Sequence, residues 1–276
     1  MFFDLGVTWD AKRAPIIAEL ALRFGYAGIA HTVTVNAAQL ADLRAHRCAI
    51  APKRLPSEAL RNCGPLRDLA TALGLDTDQG DFIQLRRLTV RAADEAQVAV
   101  VSEAARQRLP YDLIAVRPTT EEAFQHSCES CECDLISLSL DEKLHFPLRR
   151  QHVMAFMKRG GLFEVEFAPA LRDPTRRRNL FVNMEQLLKP TRGKNVILSS
   201  GASDRMEMRS PHDLANFAAV LGLRGPLALQ SVADVPYRAL QRGVLRRGCA
   251  QPVPRPLAST ATVPDDEDMI SLKTYE

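Results

Sequence analysis

The segment from Phe82 to Val116, FIQLRRLTVRAADEAQVAVVSEAARQRLPYDLIAV, decides the fold. It reads as a strand over Phe82–Val90, a helix over Asp94–Arg108 and a second strand over Leu113–Val116, the apolar period switching from 2 to 3.6 and back. The alternation continues downstream: helix Thr120–Ser130, strand Leu135–Leu140, helix Leu148–Arg159, strand Leu162–Phe167, helix Arg177–Leu188, strand Asn195–Ser199, helix Pro211–Leu221 and a helical end piece Val235–Gly248. Upstream, strand Phe2–Val7 precedes a helix over Ala14–Tyr26, where Ile16, Ile17, Leu20, Ala21 and Phe24 recur at helical spacing. A strand over Ala27–Val33 then leads into an irregular excursion marked by Pro52, Pro56 and the turn signal Asn62-Cys63-Gly64-Pro65.

About seven strands, each chased by a helix, call for a parallel sheet with right-handed crossovers. No G-x-G-x-x-G fingerprint follows any strand, so a TIM-like (β/α) barrel is favoured over a dinucleotide-binding sheet. The organisation expected is one barrel domain over residues 1–250 and a disordered, Pro-containing acidic tail over 251–276. There is no internal repeat.

The 276 residues are 46% hydrophobic, enough for one large core. No basic region followed by an apolar run opens the chain, and no stretch has the roughly 18 uninterrupted apolar residues of a membrane span, so a soluble, non-secreted protein with no membrane partner is expected. Six cysteines in so long a chain suit a reducing compartment better than a disulfide framework. From Val253 onward, two cations, Arg255 and Lys273, face five carboxylates, Asp265, Asp266, Glu267, Asp268 and Glu276. With the whole chain at +3, residues 1–252 therefore carry +6, a bias that suits a polyanion without proving one.

The loops after the strands of such a barrel gather at one face, where an active site would sit. Metal-dependent barrel hydrolases of the amidohydrolase or polymerase-histidinol phosphatase kind begin with His-x-His on the first strand; here that place holds Asp4-Leu5-Gly6. His31, His46, His126, His145, His152 and His212 fall into no ligand spacing. His126, Cys128, Cys131 and Cys133 are close enough in sequence to clasp zinc, but small buried thiols at a helix-to-strand turn are the plainer reading. No Gly-x-Ser-x-Gly elbow is present. Ser200-Gly201-Ala202 reads as a tight turn, or as a weak phosphate cradle of backbone N–H groups.

The basic clusters say more. Arg172 and the run Arg176-Arg177-Arg178 introduce a helix directly after a strand and its Pro169 loop. On a helix start, three successive arginines fan out, so one or two can reach a phosphate backbone while another pairs with Asp173 or Glu185. Lys189, Arg192, Lys194, Arg205 and Arg209 follow, and Arg238, Arg242, Arg246 and Arg247 recur near the end. Taken together they favour an RNA-facing surface.

At this point the chain resembles a known family, the thirty-kilodalton protein subunit of archaeal and eukaryotic ribonuclease P and ribonuclease MRP. The resemblance covers roughly Met1 to Leu223. It is carried by Phe3-Asp4-Leu5, Arg87-Leu88-Thr89, Tyr111-Asp112-Leu113-Ile114-Ala115-Val116-Arg117-Pro118, Glu142-Lys143-Leu144-His145-Phe146, Gly160-Gly161-Leu162-Phe163-Glu164-Val165, Arg177-Arg178-Asn179, Gly193-Lys194-Asn195-Val196-Ile197-Leu198-Ser199-Ser200-Gly201-Ala202 and Glu207-x-Arg209-Ser210-Pro211-His212.

The resemblance implies a relative of the polymerase-histidinol phosphatase barrel stripped of its metal site. It implies a non-catalytic scaffold that contacts the ribonuclease P or MRP RNA and, through the holoenzyme, precursor tRNA. A small ferredoxin-like subunit is the implied protein partner, a second copy of the chain is left open, and the location for a eukaryotic chain is the nucleus and nucleolus. Cleavage would belong to magnesium on the RNA, with no cofactor on the protein and no catalytic residue. With Arg176 from the basic run, the RNA-binding candidates are Arg87, Arg176, Arg177, Arg178, Lys194 and Arg209, although Glu207 could instead tie Arg209 into the barrel rim. The competing reading from the residues is a metal-dependent barrel phosphoesterase using Asp4, His31, Glu164 and His145. A third is a protein-binding module whose basic face docks an acidic partner.

Overall fold

The computed structural model describes residues 1–40, 82–107 and 109–248, together with residues 50, 55, 68, 69 and 71. Apart from Leu55, the excursion around Pro52 to Pro65 lies outside the described residues, as does the acidic tail. Seven strands run β1 (Phe3–Thr8), β2 (Gly28–Asn36), β3 (Ile83–Ala92), β4 (Leu113–Pro118), β5 (Leu135–Leu138), β6 (Phe163–Glu166) and β7 (Val196–Ser199). They pair in chain order and every pair is parallel. The described helices are α1 (Ala14–Arg23), α2 (Glu95–Arg106), α3 (Glu121–Glu129), α4 (Arg150–Lys158), α5 (Ala168–Arg172), α6 (Pro174–Thr191), α7 (Pro211–Val220), α8 (Pro226–Gln230) and α9 (Asp234–Arg246).

Local chemistry starts the helices where side chains satisfy the exposed N–H groups. Asp94 accepts from Gln97 N, Thr120 from Ala123 N, Asp173 from Thr175 N and Ser210 from Asp213 N. Two short helices, α5 and α8, escape periodicity because five residues make little more than one turn. Pro169, expected in a loop, is inside α5. The helix expected from Arg177 begins at Pro174, which places all three consecutive arginines in its first turns.

Each strand separates two kinds of neighbour. Leu88, Val90, Ile114, Val116, Ile136, Phe163, Val165, Val196 and Leu198 point outward into a buried layer shared with the helices. Phe3, Leu5, Ile83, Leu85, Leu113, Ala115, Leu135 and Ile197 point inward and pack on Val235, Tyr237, Ala239, Leu240 and Val244 of α9. The end helix is therefore a plug for the barrel, not an appendage. Gly243 permits its approach, since a Cβ there would stand 2.6 Å from the carbonyl oxygen of Asp112.

The barrel closes between β1 and β7 without a regular ladder. Thr8 N donates to Ala202 O at 2.9 Å near the strand ends, while Phe3 N donates to Val232 O and Leu198 N to Ser231 O at the other end. The segment joining α8 to α9 thus bridges both edge strands and removes the unpaired edges of an open sheet. Gly6 lets the edges meet: a Cβ there would lie 2.8 Å from that of Ser199.

Candidate functional site

Toward the C-terminal ends of the strands the barrel interior turns from apolar to charged. On β3 the inward positions after Ile83 and Leu85 are Arg87 and Thr89, and β4 contributes Arg117, β5 Ser137, β6 Glu164 and Glu166, and β7 Ser199. Arg87 and Glu164 are fully buried and joined by a bidentate ion pair. The Arg87 guanidinium also donates to Leu5 O at 2.6 Å and to Thr89 Oγ1 at 3.1 Å, while Ser199 Oγ donates to Glu164 Oε1 at 2.6 Å. Arg117 donates to Glu166 at 2.5 Å and to Ser137 at 2.8 Å. Two guanidinium groups and two carboxylates thus neutralise one another inside the mouth.

The electrostatics follow from that arrangement. Burial pushes the Glu164 carboxyl up, but the charge and hydrogen bonds of Arg87, the Ser199 hydroxyl and the charge of Arg117 outweigh it, leaving the group below its ordinary range. Arg117 loses hydration on burial, yet Glu166 and Glu164 hold it more firmly protonated than usual. Among the described residues, no cation pairs with Asp4. Burial raises its carboxyl, opposed by hydrogen bonds from Ser200 and Gly6, and its Oδ2 has no hydrogen-bond partner.

These contacts do not suit the metal set Asp4, His31, Glu164 and His145. Glu164 has both oxygens on Arg87. His31 lies beside Arg86 in the sheet register, so alternation turns it to the helix-facing side, opposite to Arg87. There it meets Gln84 Oε1 at 3.1 Å and the Trp9 ring, and burial keeps its imidazole toward the neutral form. His145 is exposed. Among the described residues, the three metal-ligand side chains that converge are Glu95, Glu122 and His126, on the outer surface of α2 and α3. Cys128, Cys131 and Cys133 are buried free thiols apart from that group, and burial pushes the Cys128 thiol well up.

The basic candidates separate into distinct sets. Arg87, with no exposed surface, cannot touch an RNA strand; this corrects the expectation, and its position is explained by the carboxylate it neutralises. Arg176 is partly exposed but pairs with Asp141 at 2.7 Å, not with Asp173 or Glu185. Arg177 and Arg178 are exposed, and their guanidinium groups make no hydrogen bond or ion pair with any described residue. Glu207 grips Arg172 instead of Arg209, whose guanidinium donates to the carbonyls of Met206 and Met208. Arg209 is therefore half-buried and pinned to its own turn. Lys194 is exposed but precedes β7, at the end of the barrel opposite Arg177.

Three of the four terminal arginines correct a second expectation, while Arg238 stays exposed. Arg242 donates to the carbonyls of Cys133, Asp134 and Arg159, Arg246 pairs with Asp134 and Arg247 with Asp112. They lock α9 onto the barrel rather than lining an RNA-facing surface. The Ser200-Gly201-Ala202 turn is equally committed: Ser200 N donates to Asp4 and Ala202 N to Ser200 Oγ, leaving little for a phosphate.

Fold and mouth together define a seven-stranded parallel α/β barrel whose interior carboxylates are held by its own arginines and whose rim carries unpaired cations. The chain belongs to the RNase P subunit p30 family, whose model matches residues 1–248. It is 34% identical over 223 residues to Protein GAMETOPHYTE DEFECTIVE 1 of Arabidopsis thaliana, covering 79% of this chain and 37% of that one. It is 39% identical over 139 residues to Ribonuclease P protein subunit p30 of Mus musculus, covering 50% of this chain and 52% of that one. The chain thus spans from about a third to half of these relatives' lengths. Its fold matches a chain in a cryo-EM structure of archaeal Ribonuclease P with mature tRNA, at a TM-score of 0.59 and 13% identity, over 94% of this chain and 100% of that one.

Proposed function

We propose that this chain is a non-catalytic, RNA-binding protein subunit of ribonuclease P, shared with ribonuclease MRP, which supports RNA-catalysed removal of the 5′ leader of precursor tRNA. The observation that carries the reading is the contrast at the mouth. Carboxylates that could serve chemistry are spent on Arg87 and Arg117, whereas Arg177 and Arg178 face solvent without a carboxylate partner among the described residues. Such cations attract a phosphate backbone without reading bases. Cleavage is assigned to magnesium on the RNA, and precursor tRNA is reached through the assembled particle. A small ferredoxin-like subunit is the proposed protein partner and the nucleus and nucleolus the proposed location. A second copy in the particle is consistent with the reading but not required by it.

The test is isolation of the native protein from cells followed by sequencing of the RNA that accompanies it. Ribonuclease P and MRP RNAs, with precursor-tRNA cleavage by the eluted particle, are the expected outcome. In binding assays, Arg177→Glu with Arg178→Glu should weaken RNA retention and flatten its salt dependence by roughly 0.7–0.9 logarithmic units for each phosphate no longer neutralised. Loss of a protein partner with unchanged RNA retention would support the acidic-partner reading instead. Phosphatase activity of the purified protein with stoichiometric metal would overturn both.

A further inference from the structure

At the end of the barrel opposite the mouth, the turn before β7 and helices α8 and α9 enclose a cleft of about 220 Å³, with Lys194, Asn195, Leu227, Gln230 and Arg238 in its walls. The turn carries left-handed backbone at Arg192, Gly193 and Asn195, with φ values of 52°, 74° and 60°. Glycine is needed at the middle one, where a Cβ would also press on Leu227 at 3.1 Å. Neither the Lys194 ammonium nor the Arg238 guanidinium makes a hydrogen bond or ion pair with any described residue. One turn beyond Arg238, Arg242 spends its guanidinium on three backbone carbonyls and pairs with no carboxylate among the described residues. Asp234, one turn before, is the carboxylate whose field reaches Arg238. Arg238 is itself exposed, and partial desolvation together with the charge of Arg242 outweighs Asp234 and draws its guanidinium below the ordinary range.

We propose that this cleft is an anion site that holds one phosphate group between Lys194 and Arg238. Its volume falls below the roughly 300 Å³ at which small-molecule pockets begin, and would hold about seven waters at ~30 Å³ each. That suits a phosphate with part of its hydration shell better than a whole nucleotide. Gln230 adds an amide donor to the same walls, whereas Asn195 Nδ2 already donates to Gly161 O at 3.0 Å and shapes the turn. The phosphate comes from an RNA backbone or from free phosphate; the RNA source rests on the subunit reading above, while the anion site does not. An RNA held here and at Arg177 would be gripped at both ends of α6, about 27 Å apart for 18 residues.

The test uses the full chain and inorganic phosphate, with chloride at matched ionic strength as control. Thermal stability should rise with phosphate in the wild type and stay flat in Lys194→Gln/Arg238→Gln, with Arg238→Lys restoring part of the response. Arg177→Gln/Arg178→Gln should respond as the wild type does, which separates this site from the rim. In parallel, RNA affinity is measured between 50 and 200 mM salt, over which each neutralised phosphate contributes about a threefold change. A threefold smaller change in the Lys194/Arg238 variant, together with the phosphate response, supports the site with RNA backbone as its source. A phosphate response with unchanged RNA salt dependence supports the site with free phosphate as its source. If phosphate stabilises wild type and variant equally, or neither, the proposal is overturned, whatever the RNA result.

Discussion

Arg87 shows how one side chain can be found by sequence and misread by it. A basic residue inside an apolar strand stands out, and a cation in a protein of net positive charge invites a polyanion. Yet strand alternation turns it inward, onto a carboxylate some 77 residues later in the chain. Breaking a buried pair by removing one partner leaves an uncompensated charge, so Arg87→Met or Glu164→Gln should each cost about 3–5 kcal/mol in urea unfolding. The double variant Arg87→Met/Glu164→Gln should lose less than the sum, as paired groups do not add. The stability contributions of Asp4 and Glu164 change with pH in opposite directions. Glu164, held below its ordinary 4.5, contributes stability above that pH that is lost as pH falls through its folded value. Asp4, held above 3.8, contributes stability in acid that is lost as pH rises from 3.8 through its folded value. Asp4→Asn should therefore remove the decline on the rising side while leaving the acid limb set by Glu164, as read by denaturant midpoints across pH.

Helix α9 carries the second lesson. Its arginines recur at helical spacing, the pattern of a solvated basic face, but the carbonyls and carboxylates of three β-strand approaches stand where they point. Arg246 is placed more deeply than Arg247, its side chain 11% exposed against an Asp134 side chain that is 2% exposed. Arg246→Met should destabilise the fold by about 2–4 kcal/mol, since Asp134 keeps only the N–H of Ile114 as compensation. RNA affinity and its salt slope should stay unchanged, measured under conditions where the variant remains folded. A reduced slope would restore Arg246 to the RNA surface. Helix α6 gives the opposite case, because its first-turn arginines were legible as exposed: they follow a capping Asp173, and only Arg176 finds a carboxylate across the rim.

Across the whole molecule, closure depends on chain segments far apart in sequence. Phe3 and Leu198 each donate a backbone N–H to the link between α8 and α9, so these two amides should be as protected from hydrogen exchange as those inside β3 and β4. Exchange of either by local opening would mean that the seam is not part of the cooperative core. The sequence alone determined the alternation of strand and helix, the parallel barrel, the family and the exposed arginines at the head of α6, because apolar periodicity, capping residues and motif order are local properties of the chain. The tertiary structure alone decided that Arg87 is buried, that His31 faces away from Glu164, that the last helix is a plug and that Lys194 stands at the far end from Arg177. Those outcomes depend on which strand lies beside which and on where opposite charges meet, and partners so distant along the chain leave no local trace in composition or spacing.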